Sequence, residues 1–151
     1  HFYEDATLAV MMNPTRALFK NSVAWECVPS GKIITDGTKS KTQNLTTTAI
    51  IILPAVTATQ KIAFGILCAQ MCYEEKQWNI LAQNWLSWKD RQIKTASAAA
   101  YAYAAAAAIA ASASASAAYA YAYAYAAIAA SATSRIKINF IDLASKALQY
   151  K

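Results

Sequence analysis

The chain has 151 residues, a length that suits one domain able to bury about two-thirds of its unfolded surface. Its formal charge of +6, from 14 Lys and Arg against 8 Asp and Glu, favours an anionic partner but identifies no particular site. Three cysteines, an odd number, argue against a disulfide framework and are typical of a reducing compartment, so the expected location is cytoplasmic.

The N-terminal part of the chain, residues 1–58, predicts short elements and irregular segments. A first helix is predicted over residues 2–12 and ends ahead of Pro14, because a residue that precedes proline avoids the helical region. A second helix, whose apolar face is incomplete, is predicted over residues 15–27, and Pro29 ends it.

Residues 30–46 carry two turn signals with glycine and three lysines, Lys32, Lys39 and Lys41. The sequence favours a mobile basic loop here, and such a loop is also suited to contact an anion. A short strand or hairpin arm at residues 33–35 is the alternative. The apolar run over residues 47–56 has the length of a buried segment rather than of a membrane span.

Two helices are predicted next, over residues 59–76 and 77–88, from apolar side chains at helical spacing. Cys68 and Cys72 lie one turn apart, but a metal site needs further Cys or His ligands and the only histidine is His1. The sequence therefore indicates buried packing thiols. The second helix carries a wide apolar stripe, formed by Trp78, Leu81, Ala82, Trp85 and Trp88. This stripe predicts core packing, and a ligand-stacking platform is the alternative.

Residues 95–134 consist almost wholly of Ala, Ser and Tyr and contain no Gly, Pro or charge. Ala has the highest intrinsic helix propensity, so we expect two or three consecutive helices with breaks near Ser112, Ser114 and Ser116. A single long helix, a strand built on the alternating tyrosines and a membrane span are the competing interpretations. Alanine is depleted in strands and is a poor membrane-spanning residue, which favours helices in a bundle.

The last segment, residues 135–151, predicts a closing amphipathic helix. Its apolar side chains available for packing are Ile138, Ile141, Leu143, Ala144 and Leu148. The elements together predict an all-α fold, a compact helical bundle in a single domain of residues 1–151. In this prediction, residues 1–58 form an irregular N-terminal part with the basic loop 30–46, and residues 59–151 form an alanine- and tyrosine-rich helical bundle.

The C-terminal part of the chain also resembles a known group of proteins. A helix with Cys-Ala and then Tyr-Glu-Glu-Lys, within residues 68–76, precedes an Asn- and Trp-containing helix that ends in Trp-Leu at residues 85–86. Units of Ala-Ala-Tyr-Ala or Ala-Ser-Ala then lead to a basic turn and a last helix. Over about the last 90 residues, this order resembles the alanine-rich immunity protein families of bacteria and phages, which are linked to polymorphic toxin systems. The resemblance implies an immunity function with no catalytic residues to carry over.

Catalytic chemistry has no support in the sequence. A nucleophilic triad needs a base, and His1 lies at the start of the chain. Glu74 and Glu75 are adjacent, so on a helix they point about 100° apart and cannot flank one bond. The three glycines are isolated, which excludes a phosphate-binding glycine loop. We therefore expect no enzyme, no cofactor and no metal site.

The function predicted from these features is that of a non-enzymatic binding protein of immunity or anti-defence type. It would sequester a protein toxin or a small anionic, nucleotide-like ligand, with Tyr rings that stack on the ligand and basic side chains that meet phosphates. The candidate ligand-binding residues are Tyr119, Tyr121, Tyr123, Tyr125, Arg91, Lys94, Arg135 and Lys137.

Three further expectations concern partners. We expect a homo-oligomer, most simply a two-fold dimer, with the four tyrosines at the contact because Tyr is enriched at interfaces. No specific nucleic-acid partner is expected, and a membrane is not the favoured partner. The alternative function is a membrane-associated or phage structural or assembly protein that packs through its alanine-rich helices.

Overall fold

A computed structural model of the chain describes residues 1–16, 21, 23–71, 76–87 and 138–150. Its helices are α1 (Ala6–Arg16), α2 (Ala58–Gln70), α3 (Lys76–Leu86) and α4 (Phe140–Ala147). Its strands are β1 (Ala24–Ser30), β2 (Ile34–Thr35), β3 (Ser40–Lys41) and β4 (Asn44–Ile51). In this part of the chain the strands form two separate antiparallel sheets of two strands each, β1 with β4 and β2 with β3.

The predicted all-α helical bundle is wrong, because the chain from residue 24 to residue 51 forms β-structure. The helix predicted over residues 15–27 is wrong for the same reason, since its last residues belong to β1 and pair with β4. β4 reads Asn-Leu-Thr-Thr-Thr-Ala-Ile-Ile. Its β-branched Thr and Ile side chains are stiff about χ1, so they fit a pleated strand better than a helix.

The register of the β1·β4 sheet contains a β-bulge. The register shifts between Glu26, which lies opposite Ala49, and Cys27. Cys27 lies opposite Thr47, so Thr48 is the extra residue on β4. The Thr48 hydroxyl donates a hydrogen bond of 3.3 Å to the main-chain oxygen of Glu26. Bulges increase the local twist of a hairpin, and the alternation of half-buried and exposed residues along β1 is displaced at this point.

The smaller hairpin, β2·β3, turns at Asp36 and Gly37. Asp36 Oδ1 accepts hydrogen bonds from the main-chain nitrogens of Thr38 (2.9 Å) and Lys39 (3.0 Å). Gly37 has a φ of 86°, a left-handed conformation that glycine adopts without steric cost. The hairpin alternative for residues 33–35 is therefore confirmed, and residues 34–41 are not the loop that the sequence favoured.

The N-terminal segment is attached to this smaller hairpin and leads into α1. Phe2 and Ser40 form an isolated bridge with two main-chain hydrogen bonds of 2.9 Å. Asp5 Oδ1 then accepts a hydrogen bond of 2.7 Å from the main-chain nitrogen of Leu8. The helix predicted over residues 2–12 is wrong at both ends, because α1 begins after Asp5 and continues past Pro14. Pro14 has no main-chain N–H, so the turn that contains it lacks one helical hydrogen bond.

The core is formed by helices: α1, α2 and α4 pack together, and α3 packs on α2. Its large side chains with no more than 2% exposure are Leu8, Met11, Met12, Phe64, Cys68 and Phe140. Burying a large apolar side chain stabilises the folded chain by roughly 1.5–3 kcal/mol. The helical core is thus the main source of hydrophobic stabilisation among the described residues.

A capping box fixes the start of α2. The Thr57 hydroxyl oxygen accepts a hydrogen bond of 3.2 Å from the Gln60 main-chain nitrogen. The Gln60 side-chain oxygen accepts one of 2.8 Å from the Thr57 main-chain nitrogen. The Gln60 side-chain nitrogen also donates to the Leu148 main-chain oxygen at 2.9 Å, which joins the start of α2 to the end of α4. Two free main-chain groups of the first turn are thereby satisfied.

Three of the predicted helices, over residues 59–76, 77–88 and 135–151, are present as α2, α3 and α4. Two of them are shorter than predicted, since α2 ends at Gln70 and α4 covers only Phe140–Ala147. Cys68 is buried, and so are Ala82 and Trp85 of the aromatic stripe, as predicted. The predicted packing of Ile141 and Leu148 is wrong, because each is 36% exposed. Phe140 and Ala147 are buried on α4 in their place.

Residues 95–134, the segment of Ala, Ser and Tyr, and the helices predicted within it lie outside the described residues. Cys72 and Trp88 also lie outside them, and the side chains of Trp78 and Leu81 are not described. No helix in the described part of the chain combines the length and the apolar character that crossing a membrane requires.

Candidate binding surface

The β1·β4 hairpin lies apart from the helical core. The described helices make most of their contacts with one another, while β1 and β4 mainly contact each other. All residues of β4 except Ile51 are exposed, and Ile51 is half-buried. A two-stranded hairpin alone is marginally stable in water, and stable sheets need further strands or a packed face. Among the described residues, this hairpin has neither a further strand nor a packed face of that kind.

The open end of the hairpin carries four exposed apolar side chains, which we name the hairpin patch: Val23, Trp25, Ile50 and Ile52. Trp25 and Ile50 lie directly opposite each other in the ladder and so share one face. Val23 and Ile52 are each two residues away from this pair along the chain, just beyond the ends of the two strands. The exposed fractions of the four side chains are 65%, 51%, 63% and 97% in chain order. Contiguous exposed apolar surface of this kind marks interaction sites.

The two chain segments that carry the patch contain no charged residue. No charged residue lies between Lys41 and Lys61, and none lies between Lys20 and Glu26. Burying a charge against an apolar partner costs free energy unless the charge is paired. The patch can therefore be covered by an apolar surface without that cost.

A cleft of about 1080 Å³ lies beside the patch. The N-terminal segment and α1 line it together with residues of the hairpin, and Val23 and Trp25 belong to both cleft and patch. Its charged lining residues are His1 at the N-terminus, Glu4, Asp5, Glu26, Lys39 and Lys61. The cleft therefore has mixed charge.

The carboxylates of the cleft accept hydrogen bonds from other groups of the protein. Glu4 Oε1 accepts a hydrogen bond of 3.0 Å from the Ser40 hydroxyl, and Asp5 caps α1. Glu26 Oε2 accepts a weak hydrogen bond of 3.4 Å from the Thr48 hydroxyl. Within the described ranges, no group of three or more His, Cys, Asp or Glu side chains could hold a metal ion. The cleft thus extends the patch with polar groups.

The candidate residues predicted from the sequence cannot be placed on this surface. Tyr119, Tyr121, Tyr123, Tyr125, Arg91, Lys94, Arg135 and Lys137 all lie outside the described residues. The alternative prediction for the aromatic stripe was a ligand-stacking platform. Trp85 of this stripe is buried in the helical core.

Sequence reasoning missed the hairpin patch. The burial predicted for residues 47–56 is wrong at Ile50 and Ile52, the two most exposed isoleucines of the run. A signal for a strand was present in the three consecutive threonines before the isoleucines. No signal showed which side of that strand is covered, because the cover of a strand depends on residues distant in sequence.

In comparisons with protein-family models, with curated proteins and with solved structures, the chain has no significant match. Function is consequently inferred from the surface itself.

Proposed function

We propose that this chain is a non-catalytic binding protein that holds a protein partner against the hairpin patch. The observation that carries the proposal is the directly paired Trp25 and Ile50, both more than half exposed. Trp is enriched at the energetic centres of protein interfaces, since its rigid ring covers a large area at low entropic cost. The chain segments that carry the patch, residues 21–25 and 42–60, contain no charge, which suits the core of an interface, where charged residues are depleted.

A protein suits this surface better than a small anionic ligand. The neighbouring cleft has mixed charge, with Lys39 and Lys61 beside three carboxylates, so it does not concentrate the positive charge that an anion requires. The proposed role is that of an immunity or anti-defence protein, which acts in the cytoplasm by stoichiometric sequestration of a protein such as a toxin. An assembly component is the second candidate, because β4 has a neighbouring strand on one side only among the described residues.

The test compares two exposed apolar residues of β1, one inside the hairpin patch and one outside it. Trp25→Lys places a charge in the patch, whereas Val28→Lys places the same charge at a residue that is 57% exposed and outside the patch. Tagged full-length chains are purified from cells of the source organism, and co-purifying proteins are quantified by mass spectrometry. The main partner is then purified and titrated against each variant.

We expect one protein to accompany the unmodified chain and Val28→Lys in constant ratio and to be lost from Trp25→Lys. The titration should show a loss of affinity of at least tenfold, because a buried charge without a partner costs more than about 1.4 kcal/mol. A partner that binds Trp25→Lys as tightly as the unmodified chain would exclude the patch as the binding surface.

A further inference from the structure

The outer edge of β4 has no described neighbour. Within the described part of the chain, β4 pairs with β1 on one side only, and all its residues except Ile51 are exposed. An open edge is a template for another strand, and natural proteins often block such edges with proline, inward-pointing charges or bulges. The blocking features present on β1 and β4 therefore indicate which edge of the hairpin can pair with another strand.

The two edges of the hairpin differ in these blocking features. β1 contains Pro29, which has no main-chain N–H to donate, and the charged Glu26. β4 contains neither proline nor charge, and its single blocking feature is the bulge at Thr48. Beyond the bulge the chain continues as Ala-Ile-Ile-Ile-Leu, residues 49–53, without interruption until Pro54. This segment has high β-propensity and no charge, the properties of segments that pair with their own copies.

A second copy of the chain is the occupant that this edge fits best. Antiparallel pairing of identical strands has two-fold symmetry, so one segment can serve as both halves of a closed interface. The molecule carries a formal charge of +6, and most of its surface would repel a second copy. The interval between Lys41 and Lys61 is free of charge, so pairing there brings no like charges into direct opposition.

We propose that two copies of this chain pair through residues 49–53 across a two-fold axis near Ile51, which joins the two hairpins into a four-stranded antiparallel sheet. Ile50 of one copy lies opposite Ile52 of the other, and the same contact is repeated by symmetry. The extra strands supply the partner that a two-stranded hairpin lacks. A contact of five residues is smaller than the roughly 800 Å² per partner of a standard interface, so the dimer is reversible and depends on concentration.

Charge-swap variants test this pairing without removing core residues. Ile50 and Ile52 are 63% and 97% exposed in the single chain, so Lys or Glu is tolerated there. The Ile50→Lys/Ile52→Lys variant places lysines directly opposite each other at both contacts, and the Ile50→Glu/Ile52→Glu variant does so with carboxylates. Mixing the two variants places a lysine opposite a glutamate at both contacts. Val28→Lys, on the strand that carries Pro29, is the matched control.

The mass in solution is measured by sedimentation from low to high micromolar concentration. We expect the unmodified chain and Val28→Lys to rise from 16.3 kDa towards twice that mass, each charged double variant to stay at 16.3 kDa, and their mixture to regain the dimer. Amide hydrogen exchange should slow in residues 49–53 as the dimer forms, and exchange in β1 should not change. Circular dichroism confirms that each variant is folded.

Two results would overturn the proposal: an unmodified chain that stays monomeric at high micromolar concentration, or a dimer that both double variants retain. Growth into fibres would overturn the closed two-fold arrangement. The double variants change two residues of the hairpin patch as well as the edge, so Trp25→Lys separates the two proposals: it changes the patch, leaves the edge of β4 intact and should keep the dimer. A chain can thus fail one test and pass the other.

Discussion

At the scale of single residues, stability depends on a few side chains that solvent does not reach. Phe64 on α2 and Phe140 on α4 are each 2% exposed, and Met11 on α1 is fully buried. They belong to one cluster that joins the three helices. Interiors pack as densely as organic crystals, so a void left at any of these positions is not filled by its neighbours without cost.

Phe64→Ala should lower the free energy of unfolding by about 3–5 kcal/mol, because the lost transfer free energy of the ring adds to the cost of a cavity. Ile80→Ala on α3 is the control, since Ile80 is 52% exposed. It should cost less than about 1 kcal/mol. Urea denaturation of both variants measures the difference. Equal losses would show that Phe64 is not a core residue.

The capping box at the start of α2 makes a second prediction for a single residue. Thr57→Ala removes the oxygen that accepts from the Gln60 main-chain nitrogen and should cost about 1 kcal/mol. Thr57→Ser keeps the oxygen and should restore most of this loss. Thermal unfolding of the two variants gives the comparison, and an Ala variant as stable as the Ser variant would contradict the capping role.

At the scale of elements, the helices and the hairpins differ in how far local sequence determines them. α2, α3 and α4 were predictable because their apolar spacing, Thr57 cap and Asn139 cap all lie within one or two turns of the helix itself. The β1·β4 sheet joins residues about twenty apart, and neither strand has a strict alternating pattern. Local propensity therefore predicted a helix where β1 begins.

The β2·β3 turn offers a test at this scale. Gly37→Ala should destabilise the smaller hairpin by about 1–2 kcal/mol, because a φ of 86° brings Cβ too close to the neighbouring carbonyl in an L-residue. Space is not the cause, since an added Cβ would lie 3.7 Å from Phe140 Cε2, an ordinary contact. Gly37→Asn should cost less, because Asn tolerates left-handed conformations.

Hydrogen exchange of residues 34–41 measures this effect through the main-chain bonds of the hairpin. Exchange at Ser40 should accelerate in Gly37→Ala, together with exchange at Phe2, its partner in the bridge. Unchanged exchange at both residues would show that the turn does not depend on the glycine conformation.

At the scale of the whole molecule, the described residues divide into a closed helical core and an open hairpin. The core was predictable in kind, since helices with apolar stripes must bury them. The proposed binding surface was not predictable. The apolar character of residues 47–56 predicted burial, but Ile50 and Ile52 are exposed, where the same character favours contact with another molecule. Only the fold distinguishes an isoleucine of the core from an isoleucine of an interface.

The unfolding temperature of Trp25→Lys tests most directly whether the hairpin patch is an open surface. A substitution at a half-exposed residue should cost no more than about 1 kcal/mol, which corresponds to a fall of about 2–4 °C for a chain of this size. We predict a fall within that range, well below the fall caused by Phe64→Ala measured beside it. A fall as large as that of Phe64→Ala would show that Trp25 is a core residue and would contradict the proposed binding surface.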